Sequence, residues 1–263
     1  MTQVITLTTD FGTADSYVGA MKGVLLSIAP WVQIVDICHH VPPQDILAGA
    51  MILEETCAYY PTGTIHVAVV DPGVGSSRPA VAIKTNRYTF VGPDNGLFDL
   101  ALRRERIVSR VKLNNSRFQL DHVSATFHGR DIFAPAAAYI AGGHPLASLG
   151  ESVEKLNRLD LSEPVESKDS LEVHVLRADR FGNMITDLRV EQWRLWNPEN
   201  LLVNVEIGGN SIGGIQRTYS DVPTGDPVAY FGSSGRLEVG VNGGSAAAVF
   251  DIARGAAISI KMA

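Results

Sequence analysis

Cysteine is scarce in this chain. Its 263 residues include two, Cys38 and Cys57, and no Cys-x-x-Cys pair. Neither a disulfide framework nor a thiolate zinc site is indicated, and a reduced, cytoplasmic setting is expected. Charge is also sparse, at 19% with a net value of -6. Binding to nucleic acid needs a basic face, so that partner class is disfavoured. A small-molecule enzyme fits this balance, and a cationic ligand is compatible with it. No apolar run is long enough to span a bilayer. The opening "MTQVITLTTDFG" has neither the basic start nor the apolar stretch of a secretory leader, so none is expected. Internal repeats, low-complexity tracts, a Gly-x-Ser-x-Gly elbow and an HExxH pattern are missing too.

What is present is an ordered succession of elements. "VITLTTD" reads as a strand ending at Asp10. "SYVGAMKGVLLSIAP" sets Tyr17, Met21, Val24 and Ile28 at helical spacing and stops at Pro30. "VQIVDI" is a second strand, "QDILAGAMILEETCAYY" a second helix, and "TIHVAVV" a third strand, apolar enough to be covered on both faces. Strands at "AVAIK" and "YTFVG" follow, then helical patterns at "GLFDLALRR" and "RDIFAPAAAYIAGG". This alternation predicts an α/β domain with a largely parallel central sheet over 1–155. Residues 156–168 are polar and weakly periodic and read as a linker. From 169 to 263 short β runs dominate, among them "LEVHVLRA", "NMITDL", "LEVGV" and "AAVFDI", predicting an all-β barrel domain.

Chemistry-bearing residues collect at element boundaries. Asp10 closes the first strand, where sheets of this class meet their ligands; a carboxylate there can accept both hydroxyls of a ribose, or simply sit in a turn. Asp15 is placed as the first helix's N-cap or as a partner for an ammonium group. "DPGVGSSR" puts Asp71 and Arg78 seven residues apart after a buried strand. It lacks the lysine of a phosphate loop, and taken alone the two would form a surface pair worth about 0–1 kcal/mol. His128 lies in "TFHGRD" just before a helix, with Asp131 and Arg130 as neighbours for each other. His39 and His40 have no companion at metal-site spacing and read as structural. In the β half, "ADRFGNMITD" carries Asp179, Phe181 and Asn183. An Asn amide can pair with an adenine edge and a ring can stack on its face, while turn chemistry is the simpler account. "YFGSSGRLEVGVNGGSAA" carries Ser233 and Ser234 in a glycine-rich stretch that admits either a hairpin or close approach of a ligand.

Taken together, "TTDFGTADSYVGAMKG", "VVDPGVGSSR", "TFHGRD", "DRFGNMITD" and "SSGRLEVGVNGGSAA" resemble, in order and over nearly the whole chain, the S-adenosylmethionine hydroxide adenosyltransferases, relatives of the fluorinases and chlorinases. The resemblance implies hydrolysis of S-adenosyl-L-methionine to adenosine and L-methionine, without cofactor or metal. It implies a homotrimer whose ligand lies between the N-terminal domain of one subunit and the C-terminal domain of the next. It places the water-handling set on Asp71, Arg78 and His128 and the ribose contact on Asp10. The methionine contacts fall on Asp15, Asp179, Ser233 and Ser234, and the adenine contact on Asn183, with Phe181 and backbone at Val241 and Gly243 nearby. The fluorinase pattern has a tyrosine at the position of Asp71, and halide-binding relatives carry an extra loop in the N-terminal domain that is not found here. An anionic carboxylate repels a halide and suits a water that must lose its proton. The expected step is in-line attack of water or hydroxide at C5′, Asp71 or His128 taking the proton and Arg78 orienting Asp71. Halide-dependent adenosyl transfer, a non-catalytic adenosyl-binding protein and a metal hydrolase built on His39 and His40 are the rival expectations.

Overall fold

Strand β1 (Val4–Thr9) is the hinge of the first sheet, because the chain leaves it in two directions. It pairs in parallel with β2 (Gln33–Cys38) on one side and with β3 (Ile65–Val69) on the other. The computed structural model describes residues 3–263, which divide into two units, the first ending at Leu159 and the second running from Asp160 to Ala263. In the first unit β4 (Ala80–Thr85), β5 (Thr89–Pro93) and β6 (Ile107–Lys112) complete a six-stranded sheet of order β2-β1-β3-β5-β4-β6. The sheet is rich in parallel pairs; β4 alone runs against its neighbours β5 and β6.

Side chains alternate across each strand, and both faces are covered. Val67 and Val69 pack with Met21 and Leu25 of α1 (Tyr17–Ile28) and with Ala137 of α4 (Ala134–Ala141), while Ala68 and Val70 join Leu53 and Cys57 of α2 (Ile46–Cys57) and Phe98 next to α3 (Asp99–Leu102). Asp45 caps α2 by accepting the Ala48 N–H at 3.0 Å. The cap expected of Asp15 is not formed. Ser16 takes the N-cap position with helical backbone angles and no side-chain bond, and Asp15 is exposed. The "RDIFAPAAAYIAGG" helix begins with a π-type turn over Gly129–Phe133, and the "GLFDLALRR" pattern yields only the four residues of α3.

The second unit is an antiparallel, nearly closed barrel. Its strands are β7 (Val165–Glu166), β8 (Ser170–Ala178), β9 (Met184–Arg189), β10 (Val203–Ile207), β11 (Asn210–Gly213), β12 (Pro227–Phe231), β13 (Arg236–Val241) and β14 (Ala257–Met262). Their order is β11-β10-β14-β8-β9-β13-β12, with β7 beside β8, and a Gln216–Tyr230 bridge joins the segment after β11 to β12. Trp193 of α5 (Val190–Trp196) packs into the core with Val173, Val205, Leu237 and Ile260. The strand expected at "AAVFDI" is instead α6 (Ala246–Phe250). Ser245 caps it through the Ala248 N–H at 3.2 Å, and an alanine run behind a serine cap favours helix over strand. Helix α5 and strands β6, β7 and β11 lie outside the sequence expectation, β7 falling within the segment read as a linker, where it pairs with β8.

Strand β5 approaches β3 closely at Gly92, where an added Cβ would stand 2.2 Å from the Ala68 carbonyl oxygen and 2.8 Å from the Phe98 ring. Gly92→Ala is therefore expected to destabilise the first unit by about 1–3 kcal/mol or more. Urea unfolding followed by circular dichroism measures this, and an unchanged midpoint would contradict the packing described.

Candidate active site

A parallel sheet whose strand order reverses leaves a crevice beyond the carboxyl ends of the diverging strands. Here those strands are β1 and β3. Asp10 follows the first, and Asp71 comes two residues after the second. Both line a cavity of about 610 Å³ together with Phe11, Tyr17, Phe127 and His128.

The insert after β3 folds back on itself through consecutive turns. Val74 N–H donates to the Asp71 carbonyl at 3.2 Å and Ser76 N–H to that of Gly73 at 3.1 Å. Gly75 has φ 77°, and a Cβ there would lie 2.3 Å from the Ala125 carbonyl oxygen. The glycine thus lets the insert press against the segment that leads to His128. This folding returns Arg78 to Asp71. Arg78 Nε donates to Oδ1 at 3.1 Å and Nη2 to Oδ2 at 2.6 Å, while Nη1 donates to the Pro79 carbonyl at 2.8 Å. The guanidinium also lies over the Phe133 ring at 5.6 Å. The two side chains are 4% and 8% exposed, so this is a buried ion pair and not the surface pair that spacing alone suggests. Burial raises the Asp71 carboxyl above its usual 3.8, outweighing the opposing pull of Arg78 and His128.

Arg78 Nη2 also reaches His128 Nδ1 at 2.9 Å. A guanidinium has only donors, so Nδ1 must be the acceptor, and the imidazole is neutral with its proton on Nε2. Burial, then Arg78, lowers the His128 pKa below 6.5, against the weaker pull of Asp71 and Asp131. His128 is the residue just before the π-type turn, in which the N–H groups of Arg130 and Asp131 both donate to the Phe127 carbonyl, at 3.2 and 3.1 Å. Buried Asp131 steadies that turn by accepting Ser124 N–H at 2.8 Å and Arg130 Nε at 2.6 Å, the Arg130–Asp131 pairing expected from sequence.

Three features of this cavity escaped the sequence reading. Asp10 Oδ2 accepts the backbone N–H of Gln44 at 2.8 Å, and Gln44 holds a φ of 66°. Phe11, Tyr17 and Phe127 form a mutual cluster with ring centroids 5.2–5.8 Å apart. Phe133 forms the floor under Arg78. Only the aromatic cluster carried a sequence signal, in two phenylalanines adjoining Asp10 and His128. His39 is buried against Thr9 Oγ1 at 2.8 Å and Asp36 at 3.0 Å, and His40 is exposed. Among the described residues no three His, Cys, Asp or Glu side chains group as metal ligands.

In the second unit, Asp179 organises its turn as sequence suggested. Its Oδ1 accepts the N–H groups of Phe181 and Asn183 at 2.9 Å each, and its Oδ2 accepts Asn183 Nδ2 at 2.9 Å. The carboxylate forces the nitrogen of the Asn183 amide toward itself, which leaves the carbonyl oxygen turned the other way. Asn183, Phe181, Val241 and Gly243 line a cavity of about 610 Å³ with Tyr219 and Asn242, and Phe181 is 76% exposed. Asp15, Ser233 and Ser234 line neither cavity. Ser233 is exposed, and the buried Ser234 hydroxyl has no hydrogen-bond partner.

Comparison with known proteins adds a family. A model of the SAM hydroxide adenosyltransferase N-terminal domain matches residues 5–150, and that of the C-terminal domain matches residues 173–259. The chain is 45% identical over 246 residues to a (R)-S-adenosyl-L-methionine hydrolase of Thermus thermophilus, covering 90% of this chain and 91% of that one. It is 39% identical over 257 residues to a protein of the same name from Salinispora arenicola, covering 95% of each. A fluorinase of Nocardia brasiliensis is more distant, at 24% identity over 290 residues. An uncharacterized conserved protein from Thermotoga maritima has a solved structure that superposes with a TM-score of 0.88 at 32% identity, covering 98% of this chain and 99% of its own.

The Arg78 contact makes a spectroscopic prediction. In a nitrogen-15 NMR titration His128 should show the Nε2–H tautomer at pH 7 and a midpoint below 6.5. Arg78→Met removes the nearby cation and unmasks the Asp71 carboxylate, so the midpoint should rise. A wild-type midpoint at or above 6.5 would contradict the assignment.

Proposed function

The chain belongs to the SAM hydroxide adenosyltransferase family, and from that premise we propose that it hydrolyses S-adenosyl-L-methionine to adenosine and L-methionine. The observation that carries this reading is the buried Asp71–Arg78 pair in contact with half-buried His128, at the crevice where β1 and β3 diverge. The sulfonium leaves as a neutral thioether and needs no proton. The difficulty lies in the nucleophile, since bulk water has a pKa of about 15.7.

Asp71 takes the water proton in this scheme. His128 has its only basic nitrogen facing Arg78, so it is poorly placed as a base and well placed as a donor through Nε2–H. Burial makes Asp71 a stronger base than an ordinary carboxylate, and its two oxygens together keep accepting capacity beyond the bonds from Arg78 and the Gly73 backbone. As the O–H bond breaks toward Asp71, the oxygen–C5′ bond forms and the C5′–S pair returns to sulfur. Arg78 and the His128 N–H stabilise the developing hydroxide. Asp10, fixed by Gln44, receives the ribose hydroxyls, and the Asn183 cavity receives the adenine. Asp15, Asp179, Ser233 and Ser234 serve the methionine end in the same reading, although Asp179 has both oxygens engaged in its own turn. No cofactor or metal is invoked.

The hydrolase relatives' names specify the R sulfonium configuration, and we extend that preference to this chain. The two cavities lie on separate units, and we propose that a cytoplasmic homotrimer joins them across subunits. Halide transfer is the second reading, favoured only by the distant fluorinase likeness. The negative charge of Asp71 opposes it, because two like charges about 4 Å apart repel by several kcal/mol at an effective dielectric near 20.

Four outcomes are expected. Resolved R and S epimers incubated in oxygen-18 water should give labelled adenosine, faster from the R form; 5′-chloroadenosine as the main product in high chloride would overturn the hydrolase reading. Asp71→Asn should lower turnover at least ~100-fold with binding little changed. Turnover in the wild type should fall as pH drops from 6.5 toward 3.8, because Asp71 must be ionised and His128 neutral, and should be flat just above pH 7. Mixing Asp71→Asn with Asn183→Ala subunits should restore activity, and verified exchange without recovery would rule out a shared site.

A further inference from the structure

The second unit holds a buried hydrogen-bond chain that the reaction scheme leaves unused. Glu238 on β13 is 8% exposed and accepts the Tyr230 hydroxyl through Oε2 at 2.7 Å. Tyr230 on β12 is also buried, and its hydroxyl meets that of Tyr219. A carboxylate offers only lone pairs, so Tyr230 gives its proton to Glu238 and must accept from Tyr219. Burial first, then the bonds to Tyr219 and Glu238, push the Tyr230 phenol far above its ordinary range, and the polarity of the chain persists at working pH.

Tyr219 is held from both ends. Its hydroxyl is fixed by Tyr230, and its ring lies 4.8 Å from the Tyr230 ring. At its backbone, Asp221 Oδ2 accepts the N–H groups of Arg217 and Thr218 at 3.0 and 3.2 Å and closes the turn. Gly240 gives the arrangement room. A Cβ there would lie 2.9 Å from both Tyr219 Cε1 and Asn183 Oδ1. Glu238 also bears on a second segment, since a Cβ on Gly232 would stand 1.9 Å from its Oε1. Gly232 opens the turn that carries Ser233 and Ser234. The cavity thus has two aromatic members of opposite character: Phe181 is exposed, and Tyr219 is half-buried and anchored.

We propose that Tyr230 and Glu238 are positioning residues that hold the Tyr219 ring as the fixed wall of the heterocycle slot and tie that wall to the Gly232 turn. The inference rests on the adenosyl reading above, which puts adenine in this slot. An anchored ring has no side-chain freedom left to lose when a planar base stacks on it, so preorganisation favours binding.

Adenosine binding by isothermal titration calorimetry tests this without turnover. Tyr219→Phe removes the first link and Tyr230→Phe removes both; each should weaken adenosine about 5–10-fold, and the double variant should be no worse than Tyr230→Phe, because the links act in series. KM for the sulfonium substrate should rise by a similar factor with kcat within about threefold. Glu238→Gln keeps an acceptor oxygen and should recover most of the affinity lost in Glu238→Leu, with melting temperatures recorded for all variants. Wild-type affinity in the single variants, multiplying losses in the double, or equal loss in Gln and Leu variants would overturn the relay. A wild type that fails to bind adenosine would overturn the adenosyl reading and this proposal with it, a result distinct from binding that the variants leave unchanged.

Discussion

The buried pairing of Asp71 with Arg78 governs the rest of the first unit. Two charges taken out of water are tolerable only when their geometry is close and their remaining bonds are satisfied. Arg78 meets that demand with bonds to both Asp71 oxygens, to the Pro79 carbonyl and to His128. Everything around the pair serves this arrangement. Turns in the insert return Arg78 to Asp71, Gly75 brings the insert against Ala125, and the π-type turn after His128 sets the imidazole within reach. The neutral state of His128 then follows from its burial together with Arg78.

The second unit uses a carboxylate differently. Here Asp179 acts on neutral groups. It collects three N–H groups and thereby decides which way the Asn183 amide points. An amide free to flip offers either a donor or an acceptor to a ligand edge, and one held by a carboxylate offers a defined pattern. The first unit fixes the state of an imidazole with a guanidinium, and the second fixes the direction of an amide with a carboxylate.

Much of this was legible in the sequence, and the limits have physical causes. Strands β1, β3, β4 and β5 are mostly buried apolar runs, so their patterns survive tertiary context; β2 has no fully buried residue and was legible from the β-branched residues of "VQIVDI". Strand β6, "IVSRVK", has one buried residue and is half exposed, and gave no comparable signal. The run at 246–250 is apolar enough for a strand, and its serine cap decided otherwise. At the site, Asp71, Arg78, His128 and Asp10 were visible as residue types at element ends, but burial of the ion pair was not, because spacing carries no information about solvent. The tautomer of His128 depends on a contact fifty residues distant in sequence. The R configuration in the relatives' names has no counterpart in any motif.

The bond between Asp10 and residue 44 has a consequence for how such chains diverge. The donor is a main-chain N–H, and it is aimed by a left-handed backbone step, not by a side chain. Every amino acid except proline owns that group, and glycine or asparagine adopts the step with least strain. The side chain at 44, which borders the same cavity, can therefore change while the carboxylate keeps its partner. The residue type at this position says little about the chain path on which the Asp10 contact depends. Information about that end of the pocket is stored in the trajectory of the loop, where residue-by-residue comparison does not register it.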